Sequence, residues 1–408
     1  MTELDFVSLA DVEEARTLLD GVIRRTPLEP SRPLTAKLAG PAWLKCENVQ
    51  RAGSYKVRGA YVRIFRLSAE ERARGVVAAS AGNHAQGVAL AAGLLGTSAT
   101  VFMPAGAALP KVAATKGYGA IVRTAGNTVD EALVAAKAYA HDSGAILIHP
   151  FDHPDVIAGQ GTVALEILEQ CPDVKTIIAG IGGGGLISGI AVAAKALRPD
   201  IHIVGVQAAG AAAYPPSLAA GRPVPLSDFA TIADGIAVGC PGDLTFAHVS
   251  KLVDEVVTVR EEDISRALLM LMERSKLVVE PAGGVAVAAL LAGAVTVPTP
   301  VVAVLSGGNI DPLLLLRVIE HGLAAAGRYL RITVRTGDRP GQLAQLLTLL
   351  AEQGANVVDV AHRRHDPRLR LGEVEVELSA ETRGAEHSDR LVNALRAAGY
   401  TVTLTART

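Results

Sequence analysis

From Gly75 onward, short runs of β-branched residues alternate with alanine-rich stretches of helical composition. The strand-like runs are GVVAAS, ATVFMP, AIVRT and AILIHP, followed later in the chain by TIIAGIG, HIVGVQA, VVTV and PVVAVLSGG. These runs are continuously apolar, which is typical of parallel strands that helices cover on both faces. We therefore predict an α/β fold with parallel sheets, and the length of the pattern fits two lobes better than one.

The pattern changes near Gly327, where the predicted order becomes β, α, β, β, α, β over about eighty residues. The run GEVEVEL alternates polar and apolar residues, which indicates a sheet with one face in water. A ferredoxin-like α+β module is the simplest account. We predict a larger domain at residues 1–326, with a small lobe at roughly 50–155, and a second domain at 327–408.

Charge and hydropathy limit the classes of partner. The chain has 39 Lys and Arg against 41 Asp and Glu, so no overall field attracts nucleic acid or an anionic membrane. Apolar stretches are interrupted by glycine or charge before they reach spanning length, so no transmembrane helix is expected. The balanced charge favours small, neutral or zwitterionic ligands. Three widely spaced cysteines and an acidic start without a signal-peptide pattern predict a cytoplasmic protein.

The segment KCENVQRAGSYKVRGA, residues 45–60, places Tyr55 and Lys56 after an Ala-Gly-Ser turn at a predicted helix start. An ammonium held near a helix N-terminus and away from water is destabilised, which makes a lysine nucleophilic enough to form a Schiff base. Taken alone, a lysine is more often a solvated surface residue.

The segment SAGNHAQG, residues 80–87, lies between a predicted strand and a predicted helix. Ser80 and the amides that follow it would sit at the helix start, where unpaired N–H groups bind a carboxylate. Simple capping by Ser80 and Asn83 explains the segment equally well. His84 is open to two interpretations, as a base or as a packing residue.

The segment TIIAGIGGGGLISG contains four consecutive glycines between a strand and a helix, and phosphate is the leading ligand for its exposed amides. Gly180, Gly182 and Gly185 also fit the GxGxxG pattern of dinucleotide-binding proteins. Such a site requires an acidic residue at the end of the next strand, where this chain has Gln207, so we favour phosphate.

Two further polar residues are predicted to face the same crevice. Glu280 in VEPAGGVAV precedes a predicted helix, and Ser306 in VLSGGN lies at the end of a predicted strand. Helix capping and a turn are the alternative roles. The segment HPFDHPD, with His149, Asp152 and His153, resembles a metal cluster, but its two prolines indicate an irregular turn and no further ligands are nearby. No metal is expected.

Together these segments resemble the threonine dehydratases, or threonine ammonia-lyases, of the fold-type II pyridoxal-phosphate enzymes, a group that also includes serine racemases and threonine synthases. GSYKVRGA is similar to that family's GSFKxRGA, with Tyr55 in place of Phe. The resemblance implies a two-lobed, tryptophan synthase β-like catalytic domain with pyridoxal 5'-phosphate as the cofactor. Lys56 would be the catalytic Schiff-base lysine, Asn83 would bind the phenolic oxygen of the cofactor, and Ser306 would face its pyridine nitrogen.

The implied cofactor site comprises Tyr55, Lys56, Asn83, Gly182, Gly183, Gly184, Gly185, Leu186, Glu280 and Ser306. The implied substrate carboxylate site comprises Ser80, Ala81, Gly82, Asn83 and His84.

The resemblance implies elimination of water and then ammonia from L-threonine, and more weakly from L-serine. Serine racemases of the eukaryotic type carry a serine where this chain has Ala81, and metal-binding acids where it has residues 207–211, QAAGA. The segment DRPGQL resembles an ACT domain, which often binds amino acids between paired copies and implies an effector and a homodimer or homotetramer. Two alternative functions stay open, a serine dehydratase or racemase of the same family and a non-catalytic amino-acid sensor. The sequence is equally compatible with a role in isoleucine biosynthesis and with a catabolic role.

Overall fold

The computed structural model describes residues 6–364 and 369–404. The chain divides into two compact units, Met1–Pro312 and Leu313–Thr408. Compact units need not coincide with functional domains, so the domain boundary after residue 326 stays a prediction.

The first unit contains two sheets, and their strands confirm the predicted parallel α/β fold. The strands are β1 (Leu28–Pro30), β2 (Ala42–Lys45), β3 (Val76–Ala79), β4 (Ala99–Met103), β5 (Ile121–Thr124), β6 (Ile146–Leu147), β7 (Thr176–Gly180), β8 (His202–Ala208), β9 (Glu255–Val259) and β10 (Val301–Val304). The larger sheet has the order β1-β2-β10-β7-β8-β9, and β1 is its one antiparallel strand among the described residues. The smaller sheet has the order β5-β4-β3-β6, and all of its described pairs are parallel.

Helices cover both sheets, as continuously apolar strands require. In the first unit they are α1 (Leu9–Leu18), α2 (Arg32–Leu38), α3 (Lys56–Phe65), α4 (Ala69–Ala73), α5 (Asn83–Leu94), α6 (Leu109–Gly117), α7 (Val129–Ser143), α8 (Pro154–Gln170), α9 (Gly185–Leu197), α10 (Tyr214–Ala220), α11 (Asp243–Leu252), α12 (Glu261–Met270) and α13 (Pro281–Ala292). We call the smaller sheet with α5, α6 and α7 the small lobe, and the larger sheet with α9 and α13 the large lobe.

The Pro-rich segment around 214–225 is partly helical. Helix α10 starts at Tyr214 and has proline in its first turn. Proline is accepted there because the first N–H groups of a helix have no partner inside the helix.

The second unit begins with one helix and then has the predicted β, α, β, β, α, β order. Its elements are α14 (Pro312–Ala325), β11 (Tyr329–Gly337), α15 (Gln342–Glu352), β12 (Asn356–Arg363), β13 (Glu373–Glu381), α16 (Ala385–Ala397) and β14 (Thr401–Leu404). The sheet is antiparallel with the order β12-β13-β11-β14. Along β13, Val374, Val376 and Leu378 are buried, while Glu375 is also buried and pairs with Arg335 at 3.2 Å.

Of the helices in residues 6–364 and 369–404, none combines the length and apolar character that crossing a bilayer requires.

Close helix crossings in the first unit depend on glycine. A Cβ added to Gly159 of α8 would lie 2.6 Å from the Cα of Gly59 in α3. A Cβ added to Gly189 of α9 would lie 2.3 Å from the carbonyl oxygen of Ile157 in α8. Because backbone packs on backbone at both points, α3, α8 and α9 have a fixed spacing that no flexible side chain can adjust.

We expect Gly189→Ala to destabilise the protein by about 2 kcal/mol or more, because its methyl group meets a backbone oxygen in a packed core. The midpoint of urea unfolding, followed by circular dichroism, measures the effect. Gly117→Ala is the matched control, since a Cβ at this helical glycine meets no heavy atom within 4 Å. Equal midpoints for both variants would contradict the role of the crossing.

Candidate active site

The predicted site segments meet at the carboxyl ends of the strands, where α/β folds bind ligands. The asparagine loop, residues 80–84, follows β3 of the small lobe, and the glycine loop, residues 181–185, follows β7 of the large lobe. Ser306 follows β10. The N-terminus of α3, at Lys56, lies beside Ser306, because the Tyr55 N–H donates a hydrogen bond to the Ser306 carbonyl oxygen.

Lys56 is half-buried in the first turn of α3, and its Nζ donates a hydrogen bond to the Pro150 carbonyl oxygen at 2.8 Å. Nζ also lies 5.3 Å from the centre of the Tyr55 ring. Burial lowers the pKa of the Lys56 ammonium to about 8, and the nearby Glu280 carboxylate offsets part of that shift. A substantial fraction of the amine is therefore unprotonated at mildly alkaline pH, as a nucleophilic lysine requires.

A buried group of charges anchors α3, and sequence reasoning missed it. Arg58, fully buried, donates to both carboxylate oxygens of Glu47 at 2.8 Å and to Glu166 of α8 at 2.7 Å. Lys45, also fully buried, lies 2.5 Å from the other oxygen of Glu166. Two cations match two carboxylates, which satisfies the pairing that buried charge demands. The signal was available, since three of the four residues lie in the segment 45–60.

The asparagine loop leads into α5. The N-cap of this helix is Gly82, whereas the capping interpretation names Ser80 and Asn83. The Ser80 hydroxyl accepts a hydrogen bond from the Gly82 N–H at 3.1 Å. Within the described residues, the N–H groups of Ala81, Asn83 and His84 have no acceptor. These unpaired donors at a helix start suit a carboxylate.

The side chain of Asn83 is held in one orientation by residues of the large lobe. Its Nδ2 donates to Glu280 Oε1, and its Oδ1 accepts from Asn309 Nδ2 at 2.8 Å. Asn309 Nδ2 also donates to the Ala52 carbonyl oxygen at 2.7 Å. Asn309 was not a sequence candidate, although it belongs to VLSGGN beside Ser306. The amide of Asn83 thus presents a fixed donor edge to the crevice.

Glu280 is 2% exposed and precedes α13, but its side chain forms no capping bond and contacts Asn83 instead. Burial, together with the negative charge of Asp234, raises the pKa of the Glu280 carboxyl to about 7. Lys111, the Asn83 hydrogen bond and Lys56 oppose the shift. Near neutral pH this carboxyl therefore exchanges between its protonated and ionised forms.

His84 is buried, and its Nε2 lies 2.8 Å from the Ile148 carbonyl oxygen. Burial and the charge of Lys56 lower the pKa of the His84 imidazole to about 3. The neutral ring donates its N–H to this carbonyl oxygen and so holds the start of α5 in place. This favours a packing role for His84 over a role as a base.

The glycine loop presents free backbone donors. Gly184 has φ of 100°, and a Cβ on it would lie 2.1 Å from the hydroxyl of Tyr214, so only glycine fits. The Gly183 carbonyl oxygen accepts from Thr245 Oγ1 at 2.6 Å, which fixes the loop from behind. The first bond of α9 joins Ser188 N–H to Gly184, so the N–H groups of residues 182–186 have no acceptor among the described residues.

These features fit pyridoxal phosphate. The free amides at the start of α9 match a phosphate, because the helix dipole adds to their partial positive charge. The partly unprotonated Lys56 matches an aldehyde, and the Asn83 donor matches a phenolic oxygen. Ser306 is 6% exposed, and its Oγ has one weak contact, 3.4 Å to the Ala282 carbonyl oxygen, which leaves it able to meet a ring nitrogen.

The polar side chains of the HPFDHPD segment accept hydrogen bonds from backbone N–H groups. His149 Nδ1 accepts the Asp152 N–H at 2.8 Å, and Asp152 Oδ1 accepts the Thr245 N–H at 2.9 Å. His153 accepts the Asp155 N–H at the start of α8. The three candidate ligands thus bind three different backbone groups.

Comparisons with known proteins show which family the chain is similar to. Residues 19–307 match the family described as pyridoxal-phosphate dependent enzymes, and residues 330–399 match the ACT domain. The chain is 47% identical to an L-threonine ammonia-lyase of Thermotoga maritima, over 97% of this chain and 99% of that protein. Its fold is similar to that of maize serine racemase, with a TM-score of 0.73 and 38% identity, covering 78% of this chain and 98% of the racemase. It is also similar to a threonine deaminase of Solanum lycopersicum, with a TM-score of 0.71 and 37% identity, covering 76% and 93% of the two chains.

We expect Glu280→Gln to stabilise the apoenzyme against unfolding at pH 8, but not near pH 4. The folded-state pKa of Glu280, about 7, lies above its unfolded value, so its contribution to stability is complete at about pH 4 and is lost as the pH rises through about 7. Glutamine carries no charge at either pH, so the gain in unfolding free energy should grow to about 1–3 kcal/mol by pH 8.

Urea unfolding of both apoproteins across this pH range tests the expectation. The exposed Glu70→Gln variant removes one carboxylate elsewhere and is the control. A difference between Glu280→Gln and the original protein that does not vary with pH would show that Glu280 is not a buried titrating group.

Proposed function

The chain belongs to the family of pyridoxal-phosphate dependent enzymes, and on that premise we propose that it converts L-threonine to 2-oxobutanoate and ammonia and also acts on L-serine. The observation that carries the proposal is the position of Lys56, a half-buried amine whose pKa is lowered to about 8. The asparagine loop and the glycine loop border the same crevice. The substrate assignment is supported by the L-threonine ammonia-lyase relative, which matches nearly the full length of both chains.

Lys56 has two tasks in this reaction. Bound pyridoxal phosphate supplies an aldehyde for amines and a conjugated ring that withdraws electrons from the substrate Cα. The amine of Lys56 would hold the cofactor through that aldehyde, and once the substrate amine had replaced it, Lys56 Nζ would be free to accept the Cα proton. Burial lowers the pKa of Lys56 to about 8, so a larger fraction of Nζ is unprotonated, as both tasks require.

The asparagine loop orients the substrate and the glycine loop orients the cofactor. The unpaired amides of the asparagine loop bind the substrate carboxylate, and those of residues 182–186 bind the cofactor phosphate. Asn83, fixed by Glu280 and Asn309, binds the phenolic oxygen. The roles of all the candidate site residues, Tyr55 and Gly82 included, stay predictions.

Two residues favour elimination over racemisation. The hydroxyl of Ser306 is neutral, so it does not stabilise a protonated ring nitrogen as a carboxylate would, and electrons from Cα are more readily used to expel the β-hydroxyl. Ala81 has no group that can carry a proton to the second face of Cα, although one structural neighbour is a serine racemase. Chiral analysis of the products from L-serine distinguishes the two activities.

The ACT domain indicates regulation by an amino acid. We infer that the effector is an amino acid, that the chain assembles as a homodimer or homotetramer, and that it acts in the cytoplasm. Turnover of threonine measured with and without each member of a panel of amino acids, isoleucine and valine included, tests the effector, and identical kinetics with every member would contradict it.

We expect Lys56→Ala to abolish both ammonia release from threonine and the visible absorbance of the lysine-bound cofactor, because no other amine in the crevice replaces Nζ at that position. An absorption spectrum and a coupled ammonia assay measure the two losses. Lys116→Ala, at an exposed position on α6, is the control and should keep both. Retention of both signals in Lys56→Ala would overturn the assignment.

A further inference from the structure

Lys111 is a nearly buried cation beside the crevice that sequence reasoning did not single out. It lies in α6 of the small lobe and is 8% exposed. Its Nζ contacts Asp234 Oδ2 at 2.5 Å, and no other described residue accepts from it. An ammonium has three N–H donors, so two donors of a nine-tenths buried side chain have no protein partner.

The Lys111 ammonium lies directly against the asparagine loop. A Cβ built on Gly82, the N-cap of α5, would lie 3.7 Å from Lys111 Nζ. The unpaired N–H groups of that loop already carry partial positive charge. A full positive charge beside the same loop makes an anion the expected ligand of both.

Asp234, the partner of Lys111, comes from the large lobe. It begins the 3-10 turn Asp234–Ile236, and a Cβ built on Gly182 would lie 3.0 Å from the Cα of Ile236, so this turn packs on the glycine loop. The Asp234 side chain is 51% exposed. Water can therefore solvate Asp234 if Lys111 leaves it, whereas buried Lys111 needs another anion.

We propose that Lys111 is a substrate-binding residue whose ammonium binds the α-carboxylate of the amino-acid substrate at the asparagine loop, with Asp234 as the competing anion in the free enzyme. The inference rests on the proposed function and deepens it, because it makes the carboxylate the feature that selects amino acids over amines and amino alcohols. Exchange of one carboxylate for another keeps the buried charge paired throughout.

An ion pair that only joined the two lobes would behave differently. Its loss would weaken every ligand of the crevice alike, whether or not the ligand carries a carboxylate. A direct contact weakens only ligands that carry one, and a hydrogen bond to a charged group accounts for about ten- to hundredfold in affinity.

The test compares L-alanine with L-alaninol in the holoenzyme. L-alanine has the amine and the carboxylate but no leaving group, and L-alaninol replaces the carboxylate with a neutral CH₂OH. Both dissociation constants are obtained by equilibrium titration of the visible absorbance of the cofactor, with no turnover needed.

We expect Lys111→Met to raise the dissociation constant of L-alanine by about tenfold or more and that of L-alaninol by less than about threefold. Methionine keeps the volume of the aliphatic stem, and Lys111→Arg, which restores a cation, should recover most of the loss. Lys116→Met removes the same charge from an exposed position on α6 and should change neither constant. Equal changes for the two ligands, or none for either, would overturn the proposal.

Asp234→Asn provides the converse test. Removing the competing carboxylate should lower the dissociation constant of L-alanine and leave that of L-alaninol nearly unchanged, and weaker binding of L-alanine would contradict the competition. Failure of the original enzyme to release ammonia from threonine would overturn the proposed function instead, since the alanine titrations do not depend on turnover.

Discussion

The bidentate ion pair between Arg58 and Glu47 holds Lys56 in place, because it fixes the first turns of α3 inside the core. Glu166 extends the pair to α8, and the glycine crossings extend the same constraint from α3 through α8 to α9. The N-terminus of α3 carries the amine, and the N-terminus of α9 carries the free amides of the glycine loop. The distance between the amine and the amides is therefore set by backbone contacts and paired buried charges, neither of which tolerates adjustment.

A second constraint acts between the two lobes at the crevice. Asn83 and Lys111 come from the small lobe, and their partners Glu280, Asn309 and Asp234 come from the large lobe. These contacts at the crevice are polar, whereas a continuous apolar core connects the small lobe to the large lobe away from it. Because polar contacts can exchange partners at lower cost than a packed core can rearrange, ligand binding can change them without disturbing the positions of α3 and α9.

The sequence predicts the strand and helix order well because long, strongly periodic segments leave little ambiguity. It also locates Lys56, Asn83 and the glycine loop, since each belongs to a short segment with its own physical signature. It does not reveal Lys111 or Asp234, because a lysine in an ordinary helix and an aspartate in a turn carry no local signal of their meeting. The sequence also does not decide between capping and binding at Glu280, because its partner Asn83 lies almost two hundred positions earlier in the chain and the two residues meet only in the folded protein.

The charges around the crevice suit a ligand that carries a carboxylate, as proposed for Lys111. Lys56 and Lys111 are set against Glu280 and Asp234, and the carboxyl of Glu280 takes up a proton near pH 7. When Glu280 is protonated and Lys56 is engaged as a neutral amine, the remaining charges are those of Lys111 and Asp234. A substrate carboxylate then meets one nearly buried ammonium and a set of free amides, while Asp234 is released to water. The charge of the site stays balanced at each stage, which avoids the desolvation cost that an unpaired buried charge would impose.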